Sequence, residues 1–258
     1  MDAVTHHGRT TAYRTVPGEA TGPVTLYVHG SGATHEVWSH QYAPEGPAHP
    51  AVALDLSGHG DSEDVATAPG DHTLQAYAED VVAVARAVDA TVLVGHSLGG
   101  AVAQRVALET DWRPDAVVLA GTGPSLPVFE DLLSWLDDDF ERAIEFLHGR
   151  DRLFHDADPS LTAASRGAMR AVGRQVVRRD FRTCHQFDVR DRLAAIDPPT
   201  LALCGEHDRL TPRRYHERLA REIPDAEFAL VPDAAHLAML EAPAVFGDVV
   251  ADFLDARL

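Results

Sequence analysis

The sequence predicts an α/β protein in which a mostly parallel sheet carries helices on both faces. Short apolar runs with the length of buried strands alternate with stretches whose apolar residues recur every three or four positions. This alternation is typical of parallel sheets, because a helix must return the chain to the same edge before each new strand. Between residues 124 and 192 only helical spacing is found. We therefore expect one domain over residues 1–258, in which residues 124–192, here named the insertion, form a helical lid between two strands.

The individual elements follow from the same patterns. A strand or hairpin is expected at 9–16, and further strands are expected at 24–28, 51–56, 92–94, 116–121, 200–204 and 226–231. Helices are expected at 36–42, 74–88, 98–109, 213–223 and 242–258, with Thr73 or Asp71 capping the second of them. The insertion shows two longer helical patterns, at 129–147 and 160–179. The proline- and glycine-rich residues 43–50 are expected to form a loop.

The net charge limits the partners that the protein can have. Forty acidic residues stand against 22 basic ones, which gives a formal charge of −18, and every basic residue is an arginine. Such an excess of negative charge repels nucleic acid and anionic lipid, so neither is expected as a partner. Because salt screens repulsion within so acidic a chain, we hypothesise a salt-rich cytoplasm, as in halophilic microbes. A GC-rich genome is an alternative explanation for the absence of lysine and asparagine.

The chain also carries few signs of a membrane or an oxidising compartment. No apolar run approaches the roughly 20 residues that cross a bilayer, and the first residues lack the layout of a signal peptide. We therefore expect a cytoplasmic protein. Cys184 and Cys204 lie in different contexts and are expected to be inert, partly buried thiols rather than a disulfide.

A short turn between a predicted strand and a predicted helix carries the strongest functional signal. Gly95, Ser97 and Gly99 form the pattern G-x-S-x-G at this point. Small residues let the backbone turn sharply and hold the serine in a strained, exposed conformation. The N–H groups that begin the helix are aimed at the space above the hydroxyl, where they stabilise negative charge. The pattern predicts a nucleophile at Ser97, and a merely structural glycine/serine turn is the alternative.

A serine nucleophile needs a base, and that base needs a group to orient it. Asp208 follows the predicted strand at 200–204, and His236 follows the strand at 226–231. The carboxyl ends of parallel strands meet at one edge of the sheet, where Ser97 is also expected. The chain order Ser, Asp, His is the one that accompanies a serine turn of this type. We therefore expect Ser97, Asp208 and His236 to act together in catalysis.

These motifs resemble those of α/β-hydrolase-fold serine hydrolases of the small esterase and lactonase kind, over nearly the whole chain. They are HGSG at 29–32, DLSGHGDS at 55–62, GHSLGG at 95–100, GEHD at 205–208, and AH at 235–236 leading to EAP at 241–243. The resemblance implies an α/β-hydrolase fold and an oxyanion hole formed by the N–H groups of Ser31 and Leu98. It also implies that the substrate is a carboxylic ester or lactone of a small molecule, cleaved through an acyl-enzyme on Ser97. One departure from the family pattern is Ala235, where the family usually has glycine. If this position requires a positive φ, the alanine would be strained.

Several alternatives to this interpretation remain at the level of sequence. His59 is an alternative base, although a histidine in a glycine-rich turn is more often structural, and Glu206 is an alternative acid. The histidines lack the spacing of metal ligands, and residues 29–32 lack the ending of a phosphate-binding loop, so neither a metal nor a cofactor is expected. Related triads catalyse other reactions, which are alternative activities for this chain. They hydrolyse thioesters, cleave carbon–carbon bonds, act as lyases in quinone biosynthesis or form peracids. A ligand-binding protein with a vestigial triad is a further alternative.

The insertion differs from the rest of the chain in charge. Residues 150–192 contain ten arginines against six aspartates and no glutamate. Four of the arginines are spaced four apart and are expected on one helix face, namely Arg166, Arg170, Arg174 and Arg178. The arginine-rich surface of the insertion could attract a substrate that bears a carboxylate, or it could pair with acidic residues of the core.

Overall fold

The computed structural model of the protein describes residues 1–15, 22–42 and 50–258. Within these residues, eight strands form one sheet in the order β1-β2-β4-β3-β5-β6-β7-β8. The strands are β1 (Asp2–His6), β2 (Arg9–Thr15), β3 (Thr25–Val28), β4 (Ala51–Leu54), β5 (Val92–His96), β6 (Ala116–Ala120), β7 (Thr200–Gly205) and β8 (Ala226–Val231). Strands β3 to β8 run parallel, whereas β2 pairs antiparallel with both β1 and β4. The predicted α/β class with a mostly parallel sheet is confirmed.

Helices connect the parallel strands. In the described part of the chain they are α1 (Asp71–Ala87), α2 (Leu98–Glu109), α3 (Glu130–Asp138), α4 (Phe140–Leu147), α5 (Pro159–Val172), α6 (Arg174–Gln186), α7 (Arg213–Glu222), α8 (Ala238–Glu241) and α9 (Pro243–Arg257). None of these helices has both the length and the apolar composition needed to cross a bilayer.

The hydrophobic core lies on both faces of the sheet, because successive side chains of a strand point to opposite sides. On one face, Leu26 and Leu93 pack with apolar residues of α1 and α2. On the other face, Tyr27 and Val94 lie in a cluster that includes Phe246 of α9. A strand covered on both faces is apolar at most positions, which is why these strands are recognisable as nearly continuous apolar runs.

The insertion contains four helices, whereas the sequence predicts two. The pattern at 129–147 is divided at Asp139, whose side chain accepts a hydrogen bond from Arg142 N and so caps α4. The pattern at 160–179 is divided at Gly173, which has a φ of +88°. Both predicted helices therefore have a break that their apolar spacing does not reveal.

Other boundaries also differ from the predictions. The predicted helix at 36–42 is a single 3-10 turn, His35–Trp38. Helix α1 starts after Gly70, and neither predicted cap is used, because Thr73 Oγ1 donates to Ala68 O while the Asp71 carboxylate pairs with Arg105. The predicted last helix is divided into α8 and α9. Residue 16 of the predicted first strand and most of the predicted loop, 43–49, lie outside the described residues.

Buried polar contacts join the insertion to the rest of the chain. Asp180 of α6 is fully buried and accepts hydrogen bonds from Tyr77 Oη at 2.6 Å and from His59 Nε2 at 2.9 Å. The neighbouring Arg179 forms an ion pair with Asp64 at 2.7 Å. Since Tyr77 belongs to α1 and His59 follows β4, these contacts fix α6 above one end of the sheet.

Candidate active site

Ser97 occupies the turn between β5 and α2. It is half-buried and has a φ of +53°, a left-handed conformation that is strained for a residue with a side chain. Two nearby glycines, Gly99 and Gly30, lie so close to neighbouring atoms that a side chain would not fit at either position. A Cβ on Gly99 would lie 2.6 Å from His29 O, and a Cβ on Gly30 would lie 3.0 Å from Ser97 Cβ. The loop that follows β3 therefore runs directly beside the serine.

Asp208 and His236, which follow β7 and β8, are hydrogen-bonded to each other. His236 Nδ1 lies 2.8 Å from Asp208 Oδ2, and both residues are buried. The carboxylate accepts a hydrogen bond from Nδ1–H, which leaves Nε2 as the nitrogen that can take up a proton. The structure thus brings together two residues that are 28 positions apart in the sequence.

The Asp208 carboxylate is held by donors from its own loop. Leu210 N and Thr211 N donate to Oδ1 at 2.8 and 2.9 Å, and Thr211 Oγ1 donates to Oδ2 at 2.7 Å. Burial acts to raise the pKa of Asp208, but the nearby His236 and these hydrogen bonds outweigh it and lower the pKa. The carboxylate is therefore charged at neutral pH, as a group that orients and stabilises an imidazolium must be.

Two further residues hold the histidine loop in place, and sequence reasoning assigned neither of them a role. His96, the residue before the serine, donates from Nε2 to the carbonyl of His236 at 3.0 Å. Burial and the adjacent His236 keep the pKa of His96 well below its ordinary value, so its imidazole is neutral. Glu241 accepts from Ala235 N at 2.7 Å and from His155 N at 2.8 Å. For Glu241, the sequence contained one indication of such a role, namely its place in the EAP motif that follows the histidine.

Ala235 itself causes no strain. The described residues other than glycine with a positive φ are His7, Asp89, Ser97, Asp151 and Asp233, and Ala235 is not among them. The backbone conformation before the histidine is thus one that alanine adopts freely.

A cavity of about 850 Å³ opens beside these residues, and Ser31, Ser97 and His236 all line it. Much of the remaining wall is apolar, and the apolar residues include Leu126, Val128, Phe129, Leu132, Phe146, Leu161, Met169, Phe181, Leu210, Leu237 and Leu240. In the described part of the chain, no hydrogen bond joins the Ser97 hydroxyl to His236, whose Nδ1 contacts Asp208 and Thr211 Oγ1. Such bonds are often long before substrate binds and tighten in the complex.

The two predicted oxyanion-hole residues flank the serine in different ways. Leu98 is the first residue of α2, so its N–H has no partner within the helix. Ser31 lies in the loop after β3, and its hydroxyl is 3.8 Å from Cys184 Sγ.

Cys184 and Cys204 are free and buried, and burial raises the pKa of each thiol to about 12. Both cysteines are therefore unreactive thiols, as predicted.

The alternative base and acid lie elsewhere. His59 is fully buried against Asp180 and is not part of the cavity wall. Glu206 is exposed, and its carboxylate accepts a hydrogen bond from Asp233 N at 3.4 Å. His59 is thus a structural residue away from the cavity, as its glycine-rich turn predicted.

The four arginines of the insertion do not share one helix face, because Gly173 separates Arg166 and Arg170 on α5 from Arg174 and Arg178 on α6. None of the four lines the cavity. Arg170 pairs with Glu141, and Arg178 pairs with Asp137. These partners belong to the insertion itself, whereas Arg179 and Arg192 pair with Asp64 and Glu109 outside it. The expectation of pairing with acidic residues of the core is therefore confirmed for Arg179 and Arg192 and wrong for Arg170 and Arg178.

Folding also creates a group of possible metal ligands that sequence spacing did not show. Asp151, His155 and His207 each offer one ligand atom, and these atoms lie within 4.8 Å of one another. Their hydrogen-bonding capacity is already used in part, because His155 Nδ1 lies 2.6 Å from Asp151 Oδ1 and Arg209 Nη2 lies 2.9 Å from Asp151 Oδ2. The His207 ring stacks on the His155 ring with their centres 3.6 Å apart, so contacts between protein side chains account for the grouping.

Comparison with known proteins agrees with the geometry. A family model described as "Alpha/beta hydrolase family" matches residues 26–249. The chain belongs to this family. Among curated relatives of this α/β hydrolase is the pimeloyl-[acyl-carrier protein] methyl ester esterase of Pectobacterium atrosepticum, which is 27% identical over 90% of this chain and 94% of its own.

Solved structures of related enzymes superpose closely on this α/β hydrolase. A thermophilic esterase has a TM-score of 0.86 at 28% identity, covering 99% of this chain and 97% of its own. An N-acyl homoserine lactone degrading enzyme has the same fold, with a TM-score of 0.86 at 24% identity, covering 98% of this chain and all of its own. The α/β-hydrolase fold that the motifs implied is thereby confirmed.

Proposed function

We propose that this α/β hydrolase cleaves a carboxylic ester or lactone of a small molecule through an acyl-enzyme on Ser97. The observation that carries the proposal is the Asp208–His236 pair, whose histidine lines the same cavity as a serine in a strained turn. A base oriented by a charged carboxylate beside a serine hydroxyl is the arrangement that makes such a hydroxyl nucleophilic. The esterase that is 27% identical over most of the chain adds support from sequence.

In the proposed reaction, His236 Nε2 takes the Ser97 hydroxyl proton while Oγ bonds to the carbonyl carbon. The carbonyl electron pair moves to oxygen, and the N–H groups of Ser31 and Leu98 stabilise the resulting oxyanion. Each donor of this kind is typically worth about 10²–10³ in rate. His236 then protonates the leaving alkoxide, and water releases the acid by the same steps with His236 again as the base. Asp208 stays ionised throughout and stabilises the imidazolium.

The insertion has a place in this proposal. Residues 124–192, within one hydrolase domain spanning 1–258, serve as a lid that covers the cavity and sets its shape. Val128, Leu132 and Met169 are among the cavity residues that the insertion supplies. The buried Asp180–His59 contact anchors this lid. Side chains of the insertion therefore govern acyl-chain preference.

A fluorophosphonate probe tests the nucleophile directly. We expect the probe to add its mass once, at Ser97, and we expect Ser97→Ala to abolish both labelling and hydrolysis of 4-nitrophenyl esters. Ser165→Ala is the matched control, because it removes another hydroxyl from the cavity wall and should leave labelling intact. Asp208→Asn should lower kcat by about 10⁴, since the imidazole would then favour the wrong tautomer.

Failure of the folded protein to react with the probe would overturn the proposal and favour a binding protein with a vestigial triad. Labelling at a serine other than Ser97 would also overturn it. Esters and lactones are separated by comparing open-chain and cyclic substrates of equal carbon number.

A further inference from the structure

The cavity carries a positive charge that contrasts with the charge of the whole chain. Among the described residues that line it, the strongly basic ones are Arg152, Arg209 and Arg214, and the one carboxylate is Glu36. The chain as a whole has a formal charge of −18. A cationic, partly enclosed site within an anionic molecule concentrates anions at that site.

The three arginines come from two segments that touch beside the histidine. Arg209 N donates to Asp151 O at 3.2 Å, which joins the loop after β7 to the loop after α4. His236 N donates to Arg152 O at 3.2 Å. Arg214 follows on the same stretch of chain as Arg209, at the start of α7. Arg152, which belongs to the insertion, thus contacts His236 through its backbone carbonyl, whereas Arg209 and Arg214 come from the segment after β7 that also carries Asp208.

Two of these guanidinium groups have no carboxylate partner among the described residues, although the chain has 40 acidic residues. Arg152 lies over the Phe146 ring at 3.7 Å and donates to Phe146 O. Arg214 is exposed, with its guanidinium 5.0 Å from the centre of the Tyr215 ring. Its neighbour Arg213, by contrast, forms an ion pair with Glu217 at 2.7 Å.

We infer that Arg152 and Arg214 bind a free carboxylate of the substrate, separate from the ester or lactone that is cleaved. The inference rests on the proposed hydrolase function. The substrate class is then half-esters of dicarboxylic acids, or lactones that bear a carboxylate, with the carbon chain against the apolar wall. Arginine suits this role because its planar fork of N–H donors matches a carboxylate. Arg209 contributes less, because Asp151 already neutralises it at 2.9 Å.

A pair of substrates with equal acyl length tests the inference. Mono-4-nitrophenyl adipate carries a terminal carboxylate, and 4-nitrophenyl hexanoate replaces it with a methyl group. We expect Arg214→Gln and Arg152→Gln each to lower kcat/KM for the adipate half-ester about tenfold, the size of one lost charge-assisted hydrogen bond. Hydrolysis of the hexanoate should change less than about twofold. Monomethyl adipate against methyl hexanoate repeats the comparison with a small leaving group.

Arg213→Gln is the matched control, because it removes a neighbouring arginine of α7 that does not line the cavity. It should leave both rates unchanged. Equal losses on both substrates, or no loss on the adipate, would overturn the inference. If Arg152→Gln does not fold, the exposed Arg214 decides the question alone. If the protein hydrolyses the hexanoate and Ser97→Ala abolishes this activity, the proposed function stands even when no carboxylate preference is found. Failure of the inference is thus distinguishable from failure of the proposed function.

Discussion

Replacing His59 by leucine tests whether the buried contact between the insertion and the sheet stabilises the fold. In the native protein, His59 and Asp180 are fully buried and their side chains are 2.9 Å apart. The substitution leaves the Asp180 carboxylate with Tyr77 Oη as its remaining donor. Removing one partner of a buried ion pair typically costs about 3–5 kcal/mol, because the other charge stays buried. In a protein of this size each kcal/mol lowers the Tm by about 2–4 °C, so we expect a drop of about 10 °C.

The effect should also depend on pH in a defined direction. Burial alone would lower the pKa of His59, but the Asp180 charge and hydrogen bond outweigh it and raise the pKa above its ordinary value. A raised pKa in the folded state stabilises the fold fully below the unfolded pKa of about 6.5. That contribution is lost as pH rises through the folded pKa. The Tm difference between wild type and His59→Leu should therefore be largest near pH 6 and shrink in alkaline buffer.

Thermal unfolding followed by circular dichroism measures both effects. The double variant His59→Leu with Asp180→Asn is the control, because it removes the buried charge as well as its partner and should recover part of the lost Tm. The reasoning is refuted if His59→Leu melts within about 2 °C of wild type at pH 6, or if the difference grows with pH.

Three further predictions follow from the same structure. Thr211→Val removes one donor to Asp208 and should lower kcat/KM for a 4-nitrophenyl ester about tenfold, while an unchanged rate would show that the hydroxyl is dispensable. Gly99→Ala places a Cβ against the Val28 and His29 carbonyls, so urea unfolding should show a loss of about 3 kcal/mol, and a wild-type midpoint would contradict the close approach. If the acidic composition reflects a salt-rich cytoplasm, the denaturation midpoint should rise between low and molar salt, and a flat response counts against that hypothesis.

Local patterns predicted the parts of this protein that depend on neighbours in sequence. Strands β3, β5 and β6 are buried at every position, so each contains a run of at least three apolar residues that the sequence shows directly. Helix α2 has the predicted bounds, because the serine turn fixes its start. The strained conformation of Ser97 was also expected, since the G-x-S-x-G pattern places small residues where the backbone turns sharply, and the structure gives this strain as a φ of +53°.

Contacts between distant segments could not be predicted in the same way. The ion-pair partners of Arg170 and Arg178 depend on how the four helices of the insertion pack, and the sequence indicated only two helices there. Even the hydrogen bonds from Thr211 to Asp208, only three residues away, follow no recognisable pattern in the sequence, because they depend on how the loop folds. His155 and His207 meet only because a loop of the insertion lies against the loop after β7.

The sequence by itself determined the class of fold, the serine turn and the edge of the sheet where Asp208 and His236 lie, since each depends on residues adjacent along the chain. The tertiary structure decided which charges are paired, what holds the histidine loop and which arginines line the cavity. These features arise because packing of the insertion against the sheet selects partners by distance in space, and neither charge nor apolar spacing along the chain encodes that distance.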